Sequence, residues 1–234
     1  MNHKIIMPFI LAILLGLILN AQEIKEHKTD SFNKVKFEGS AQWVLIPSDE
    51  EKVVIESSND DVFNYIKIDE SNGLLTISTT DKNKNITKLF KSVTINVYFK
   101  TIESVSLSGV GSVKCKTTFV TDNLTATLRG TGNMYLDVNC SNFEGYMYGT
   151  GALFAKGMAD KGIARVEGVG GFEAYELICT DLDVTVSGVG GAKVFATNRI
   201  TATLNGVGSI KYKGDPETKN LNTNGLGSIK KAND

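Results

Sequence analysis

Between Ser31 and Lys100 apolar residues recur two apart: Val35 and Phe37, Trp43 and Leu45, Val53 and Ile55, Ile66 and Ile68, Leu75 and Ile77, then Val93, Ile95, Val97 and Phe99. Successive side chains of a strand point to opposite faces, so this period predicts half-buried strands. Pro47-Ser48-Asp49-Glu50 and Ser71-Asn72-Gly73 read as turns between them. The polar, Lys-rich stretch from Asp81 to Lys91 reads as a surface loop.

Beyond Lys100 the alternation continues, but Gly-x-Gly now punctuates it. The pairs are Gly109 and Gly111, Gly130 and Gly132, Gly149 and Gly151, Gly168 and Gly170, Gly188 and Gly190, Gly206 and Gly208, and Gly225 and Gly227. From each first glycine to the next the steps are 21, 19, 19, 20, 18 and 19 residues. A short, nearly fixed period marks a solenoid, whose units bury their apolar faces only by stacking on one another.

Aligned on the first glycine, the copies fall into columns. Two positions before it stand Leu107, Leu128, Met147, Val166, Val186, Leu204 and Thr223. Four after it come Val113, Met134, Leu153, Phe172, Ala192, Ile210 and Ile229; six after it come Cys115, Leu136, Ala155, Ala174, Val194, Tyr212 and Lys231. These are core columns, and the last copy loses them. Between them the fifth position is mixed, as a surface position should be: Lys114, Tyr135, Phe154, Glu173, Lys193, Lys211 and Lys230.

No unit contains a run of roughly 10 residues with helical periodicity. The unit is therefore strand, glycine bend, strand, and the expected fold is all-β: a parallel β-helix, or β-solenoid, with coils of about 19–20 residues and an atypical β-rich N-terminal part. At a strand spacing of roughly 4.8 Å, seven coils make a rod of about 34 Å. The glycines fit a place where the coil turns or pinches. The residue inside each pair (Val110, Thr131, Thr150, Val169, Val189, Val207, Leu226) forms a ladder that would be an apolar contact stripe if it faces outward.

The same glycines do not form a phosphate loop. A dinucleotide fingerprint needs a third glycine where Lys193 and Lys211 stand, and no Gly-Lys-Ser or Gly-Lys-Thr occurs in the chain. A calcium nonapeptide repeat would carry an Asp that Gly168–Glu173 and Gly188–Lys193 lack.

Residues 1–21 read as a signal peptide: Lys4, an apolar run from Ile5 to Leu19, and cleavage after Ala21. Residues 22–30 form a polar lead-in, and 31–214 the solenoid domain, with atypical strands over 31–105 and glycine coils over 106–214. Residues 215–234 form a degenerate last coil and a polar tail. With the signal removed, no integral membrane segment is expected. The net charge of −1 gives no electrostatic reason to expect nucleic acid.

Candidate chemistry is sparse. The two histidines, His3 and His27, fall in the signal peptide and the lead-in, which argues against His-dependent hydrolysis or a His-bearing zinc site. Carboxylate chemistry would have to use Asp181 and Asp183, two apart on one strand face, with Glu167, Arg165, Glu173 and Glu176 nearby. Cys115, Cys140 and Cys179 are an odd set. Cys140 and Cys179 have a full coil between them, two strand spacings or roughly 9 to 10 Å against the about 7 Å reach of a disulfide, so three free, mostly buried thiols are expected. The best surface contacts are aromatic: Tyr146 and Tyr148 on one strand face, with Tyr135 and Phe154 nearby.

Several stretches together resemble a known family: "FNKVKFEGSAQWVLI" (Phe32 to Ile46), "NGLLTIS" (Asn72 to Ser78), "SVTINVYFK" (Ser92 to Lys100) running into "IESVSLSGVGSV" (Ile102 to Val113), and the recurring Gly-x-Gly coils. They are similar to the bacterial GIN-domain family, described as an autotransporter adhesin head domain, over roughly Ser31 to Gly214. The resemblance implies an exported β-solenoid with an adhesive role and brings no catalytic residues with it. Nothing after Gly214 resembles a membrane-inserting β-barrel, so the periplasm, or the cell surface through another protein, is the expected place.

The expected function is therefore a non-enzymatic, cofactor-free exported protein that presents a surface to a glycan or a cell-envelope protein. A carboxylate enzyme acting on polysaccharide and a structural, self-associating envelope protein are the alternatives.

Overall fold

The computed structural model describes residues 23–79 and 93–233, so the expected signal peptide and the Asp81–Lys91 loop lie outside the described residues. Strand makes up 77% of the structure and helix 3%, arranged as a β-solenoid of about seven turns. The first strands in chain order are β1 (Glu23–Lys28), β2 (Lys34–Pro47), β3 (Lys52–Ser57), β4 (Ile66–Ser71), β5 (Leu74–Thr79), β6 (Thr94–Phe99), β7 (Ser104–Cys115) and β8 (Phe119–Leu128). They are followed by β9 (Thr131–Met147), β10 (Thr150–Val166), β11 (Val169–Val186), β12 (Val189–Leu204), β13 (Val207–Lys213), β14 (Thr218–Thr223) and β15 (Leu226–Lys231).

Each long strand from β9 to β12 bends midway and so belongs to two runs. In β9 the run after the glycines turns Met134, Leu136 and Val138 inward, and the run before the next glycines turns Phe143, Gly145 and Met147 inward. The inward residues of both runs share one core. Phe143 meets Phe172 across it at 6.2 Å between ring centroids, and Gly145 leaves room for that ring, since a Cβ there would lie 2.4 Å from Phe172 Cε2. The predicted columns are buried: Met134, Leu153, Phe172, Ala192 and Ile210 are at most 2% exposed, as are Leu128, Met147, Val166, Val186 and Leu204.

The glycine bends stack in register, Gly132 on Gly151, Gly170, Gly190, Gly208 and Gly227. Two constraints meet there. Gly190 has φ of +143°, and a Cβ built on it would lie 1.8 Å from the Gly170 carbonyl oxygen. The first glycine of each pair is confined by the coil below, whose first-glycine carbonyl accepts the next middle N–H, as in Val189 N to Gly168 O at 3.1 Å. Successive backbones thus approach too closely for any side chain. The middle residues do face outward, Val169 and Val189 both at 54% exposure, and form the ridge of the bend.

The unequal steps in the sequence are absorbed away from the glycines. Pairing of β10 with β11 slips by one residue between Phe154 and Lys156, and pairing of β11 with β12 slips after Ala174 and again after Cys179. All three slips fall between one glycine bend and the next, so the glycine column stays in register whether a coil holds 18 residues or 20.

The N-terminal part departs from simple succession. β2 pairs in parallel with β7 along its whole length, and Gly39-Ser40-Ala41 sits on Gly109-Val110-Gly111. This is an additional coil whose bend falls outside the Gly-x-Gly spacing, because Ala41 replaces the second glycine. On the other side of β2, β5 pairs with its first half and β6 with its second. The chain thus starts one coil inside the solenoid, builds the outer coil, and then passes back across β2 to begin β7. Three strands close that end in antiparallel fashion, β3 on β6, β1 on β3 and β4 on β5, with a short 3-10 helix over Asp60–Tyr65 tucking Val62 into the core. The polar lead-in therefore ends in an exposed edge strand, β1.

At the other end β14 pairs with β12 and β15 with β13, which completes the backbone of one more coil. Its side chains are nearly all exposed, Leu226 at 75%. The last copy keeps the glycines and loses the core.

Candidate functional site

Inward residues of the two runs share one core, so the outward residues of the two runs point away from each other. This separates the four aromatic residues that the sequence groups together. Tyr135 and Phe154 lie on adjacent coils of the run after the glycines and stack at 4.6 Å between centroids, with planes 7° apart. Tyr146 and Tyr148 lie on the opposite run, 6.1 Å apart and 4° from parallel. The structure holds two pairs on two faces instead of one cluster.

Of the two faces, the first carries the more developed site. Outward positions two apart form neighbouring rows, and between them runs a groove of about 300 Å³ lined by Tyr135, Phe154, Asp137, Lys156, Glu173 and Tyr175. The stacked rings supply part of its apolar lining. Lys156 Nζ lies 3.0 Å from Asp137 Oδ2, and Thr118 Oγ1 donates to Asp137 Oδ1 at 2.8 Å. The Asp137 carboxylate raises the pKa of Lys156, which keeps that ammonium charged. Lys114 sits 5.5 Å over the Tyr135 ring, and Glu173 holds Lys193 at 3.0 Å. Tyr175, whose phenol pKa is raised by burial, is covered by Lys213 at 5.4 Å.

Tyr175 was not among the sequence candidates, although a signal existed. Continuing the glycine alignment to the seventh position gives Asp137, Lys156 and Tyr175 in one outward row. Pairing of Lys156 with Glu176 then shows the one-residue slip in the coil that holds Tyr175.

On the opposite face the Tyr146 hydroxyl donates to Glu144 Oε2 at 3.1 Å, and its pKa is raised by burial and then by that carboxylate. The Arg129 guanidinium lies 4.4 Å over Tyr148. These aromatic residues are occupied with neighbours two apart in the chain and with Arg129 of the adjacent coil, which is ordinary packing on a sheet face.

The candidate carboxylates are likewise engaged. Asp181 accepts from Asn198 Nδ2 at 2.8 Å and Arg199 at 3.2 Å, and these bonds hold it below the usual carboxylate range. A general acid needs the opposite shift. Asp183 pairs with Arg165 at 3.0 Å, and Arg165 also donates to the Ala164 carbonyl at 3.2 Å. Glu167 is exposed, and Glu176 lies at the end of the aromatic groove. Among the described residues no three His, Cys, Asp or Glu side chains converge in a metal-holding group. His27 lies 3.0 Å from Glu70 on the N-terminal cap, far along the rod from these acids.

The thiols are free. Cys140 and Cys179 occupy one column with Ala159 between them. Burial raises Cys115 and Cys140 to about 11 and Cys179 to about 12, so all three are protonated and unreactive near neutrality. Among the described residues no helix is long and apolar enough to cross a membrane.

Taken together, these features define a β-solenoid whose chemistry lies on outward rows of stacked coils and in a shallow groove between them. Its family follows from comparison. The model of the family described as "Putative auto-transporter adhesin, head GIN domain" matches residues 31–216, and the chain belongs to that family. A solved structure of a putative adhesin from Bacteroides fragilis is 29% identical, covers 91% of this chain and 97% of its own, and superposes with a TM-score of 0.86. Two structures from Parabacteroides distasonis share the fold at 21% and 20% identity with TM-scores of 0.70 and 0.67, each over 91% of this chain and 97% of its own; one is titled a putative lipid binding protein and the other a putative adhesin. Comparison with curated proteins gives no match.

Proposed function

We propose that this chain is an exported, non-enzymatic binding protein of the adhesin type, and that it takes a glycan of the cell surface or envelope in the groove over Tyr135 and Phe154. The observation that carries the reading is that groove: two half-buried rings stacked face to face on adjacent coils, with Asp137, Lys156, Glu173 and Tyr175 beside them. The stacked rings offer apolar contact to the CH face of a sugar ring, and the charged rim supplies hydrogen bonds to hydroxyls. The family description and the Bacteroides fragilis relative support the adhesive part of the reading. Location in the periplasm or at the cell surface is part of the same proposal.

The test is binding of the mature chain to a glycan array and to intact and lysed cells. Tyr135→Ala with Phe154→Ala is expected to weaken binding at least about tenfold, while Tyr146→Ala with Tyr148→Ala leaves it nearly unchanged. Binding unaffected by the first pair would reject the groove. Cleavage of a polysaccharide that is lost in Asp181→Asn would replace the binding reading with an enzymatic one.

A further inference from the structure

The two ends of the solenoid differ in both backbone and charge. At one end lies the edge of β15, whose inner side pairs with β13 and whose outer side pairs with no strand among the described residues. At the other lies β1, paired with β3 and with no second strand among the described residues. Both edges are six residues long.

Their directions match. β15 runs parallel to the coils below it. β3 is antiparallel to β6 and β1 antiparallel to β3, so two reversals leave β1 parallel to the coil runs. A second copy translated along the rod axis, without turning over, therefore sets its β1 beside β15 in the parallel sense used throughout the solenoid.

Charge selects the same arrangement. The last coil, residues 207–233, carries five lysines (Lys211, Lys213, Lys219, Lys230, Lys231) against two carboxylates, Asp215 and Glu217. Lys219 and Lys231 already share Asp215, at 3.5 and 3.1 Å, so the excess at this end is positive. The opposite end, residues 23–72, carries twelve carboxylates against six lysines. On β1 itself Glu23 and Glu26 stand beside Lys25 and Lys28, and Glu26 pairs with Lys52 at 3.3 Å, so the acidic excess belongs to this end as a whole.

We propose that copies of this chain associate head to tail, the basic β15 edge of one pairing in parallel with the β1 edge at the acidic end of the next. Lysines on an edge strand usually discourage pairing. Here they discourage β15 from meeting another β15 and favour the edge that lies at the acidic end. The contact is heterologous, so it propagates along the axis instead of closing into a dimer. Each added copy continues the sheet, and in a chain of copies every groove over Tyr135 and Phe154 repeats on one face, which raises the valency of any surface binding. The inference does not depend on the glycan reading, since it concerns only the two ends.

The test is sedimentation of the mature chain over a range of concentrations at low and high salt, with two charge-reversed variants. One is Lys230→Glu with Lys231→Glu; the other is Glu23→Lys with Glu26→Lys. The wild type is expected to rise above the one-chain mass with concentration at low salt and to return to it at high salt. Each variant alone is expected to stay at the one-chain mass: Lys230→Glu with Lys231→Glu leaves the last coil with three lysines against four carboxylates facing the acidic end, and Glu23→Lys with Glu26→Lys leaves β1 with four lysines facing the basic β15. An equimolar mixture of the two is expected to recover assembly, since both of its mixed contacts pair opposite charges. All of the reversed side chains are on exposed strands, and circular dichroism checks that each variant keeps its β content. Should either misfold, amide exchange of the wild type decides: β1 and β15 gain protection together as concentration rises, or they do not. A wild type that stays monomeric throughout overturns the proposal, even if an unrelated acidic peptide binds β15. So does a mixture that fails to assemble, or a Lys230→Glu, Lys231→Glu variant that assembles alone.

Discussion

In the middle coils, from β9 to β12, each strand lies on the one that precedes it in the chain, with glycine on glycine. In the N-terminal part, β2 lies between β7 on one side and β5 with β6 on the other, so chain order and spatial order part company. Both regions use the same inward and outward alternation. What differs is the source of register: a local bend repeated every coil in the first, and long-range pairing of segments far apart in the chain in the second. The middle coils hold their register through close backbone contact, whereas the N-terminal coils rely on large side chains, with Trp43 and Phe37 stacked at 4.7 Å and Phe99 set edge-on to Phe119 at 5.3 Å.

The comparison can be broken most forcefully at Trp43, which is fully buried. Trp43→Ala is expected to cost about 3–5 kcal/mol, seen as a lower denaturation midpoint. Amide exchange should then quicken across β1 to β6 well before β10 to β12. Uniform acceleration would mean that the two regions unfold as one unit.

Next in size is Gly190→Ala, which meets both a positive φ and the Gly170 carbonyl. A loss of about 3 kcal/mol is expected, localised to β11 through β15, because units of a solenoid depend on their neighbours. Retained stability would show that the bend tolerates a wider coil spacing.

Gly145→Ala is a milder probe, since the obstructing atom belongs to the Phe172 side chain, which can shift. A cost of about 1–3 kcal/mol is expected, largely recovered in the double variant with Phe172→Leu. Simple additivity of the two changes would deny the proposed fit across the core.

The thiols sharpen the comparison through pH, since Cys115, Cys140 and Cys179 all lie in the glycine coils. Their folded-state values are raised by burial, so the contribution is complete below the ordinary thiol value near 9. It is lost as pH climbs through about 11 for Cys115 and Cys140 and about 12 for Cys179. Melting temperature should fall over that window, and less so in a variant with all three cysteines replaced by alanine. At pH 8 alkylation of the native chain should be slower than that of a free thiol by roughly 100-fold.

The smallest effect belongs to the outward ion pair of Lys193 with Glu173, both partly exposed. Lys193→Ala should change stability by less than about 1 kcal/mol. A larger loss would give the surface rows a share in holding the coils together.

Much of the middle region was legible because each coil repeats its own instructions. Leu153, Phe172 and Ile210 could be placed in the core by counting from a glycine, and they are buried. Gly39 could not be recognised as a bend in the same way, since Ala41 stands in the second glycine's place and the coil it stacks on begins at Ser104. For the aromatic residues, spacing brought Tyr146 and Tyr148 close to Tyr135 and Phe154 in the chain, but the bend between the runs sends the two pairs to opposite faces. Tyr175 enters the groove from the next coil, a neighbour that only stacking supplies.

By itself the sequence determined the strand period, the coil length, the buried columns and the thinning of the last coil. Each follows from local chemistry: alternation sorts side chains to two faces, and glycine alone fits where backbones nearly touch. The tertiary structure decided the insertion of β2 between β5, β6 and β7, the antiparallel closure of one end, the splitting of the aromatic pairs and the groove over Tyr135 and Phe154. Those depend on which distant strands meet, and pairing between strands is set by free energy shared across the whole sheet, which no single stretch of chain contains.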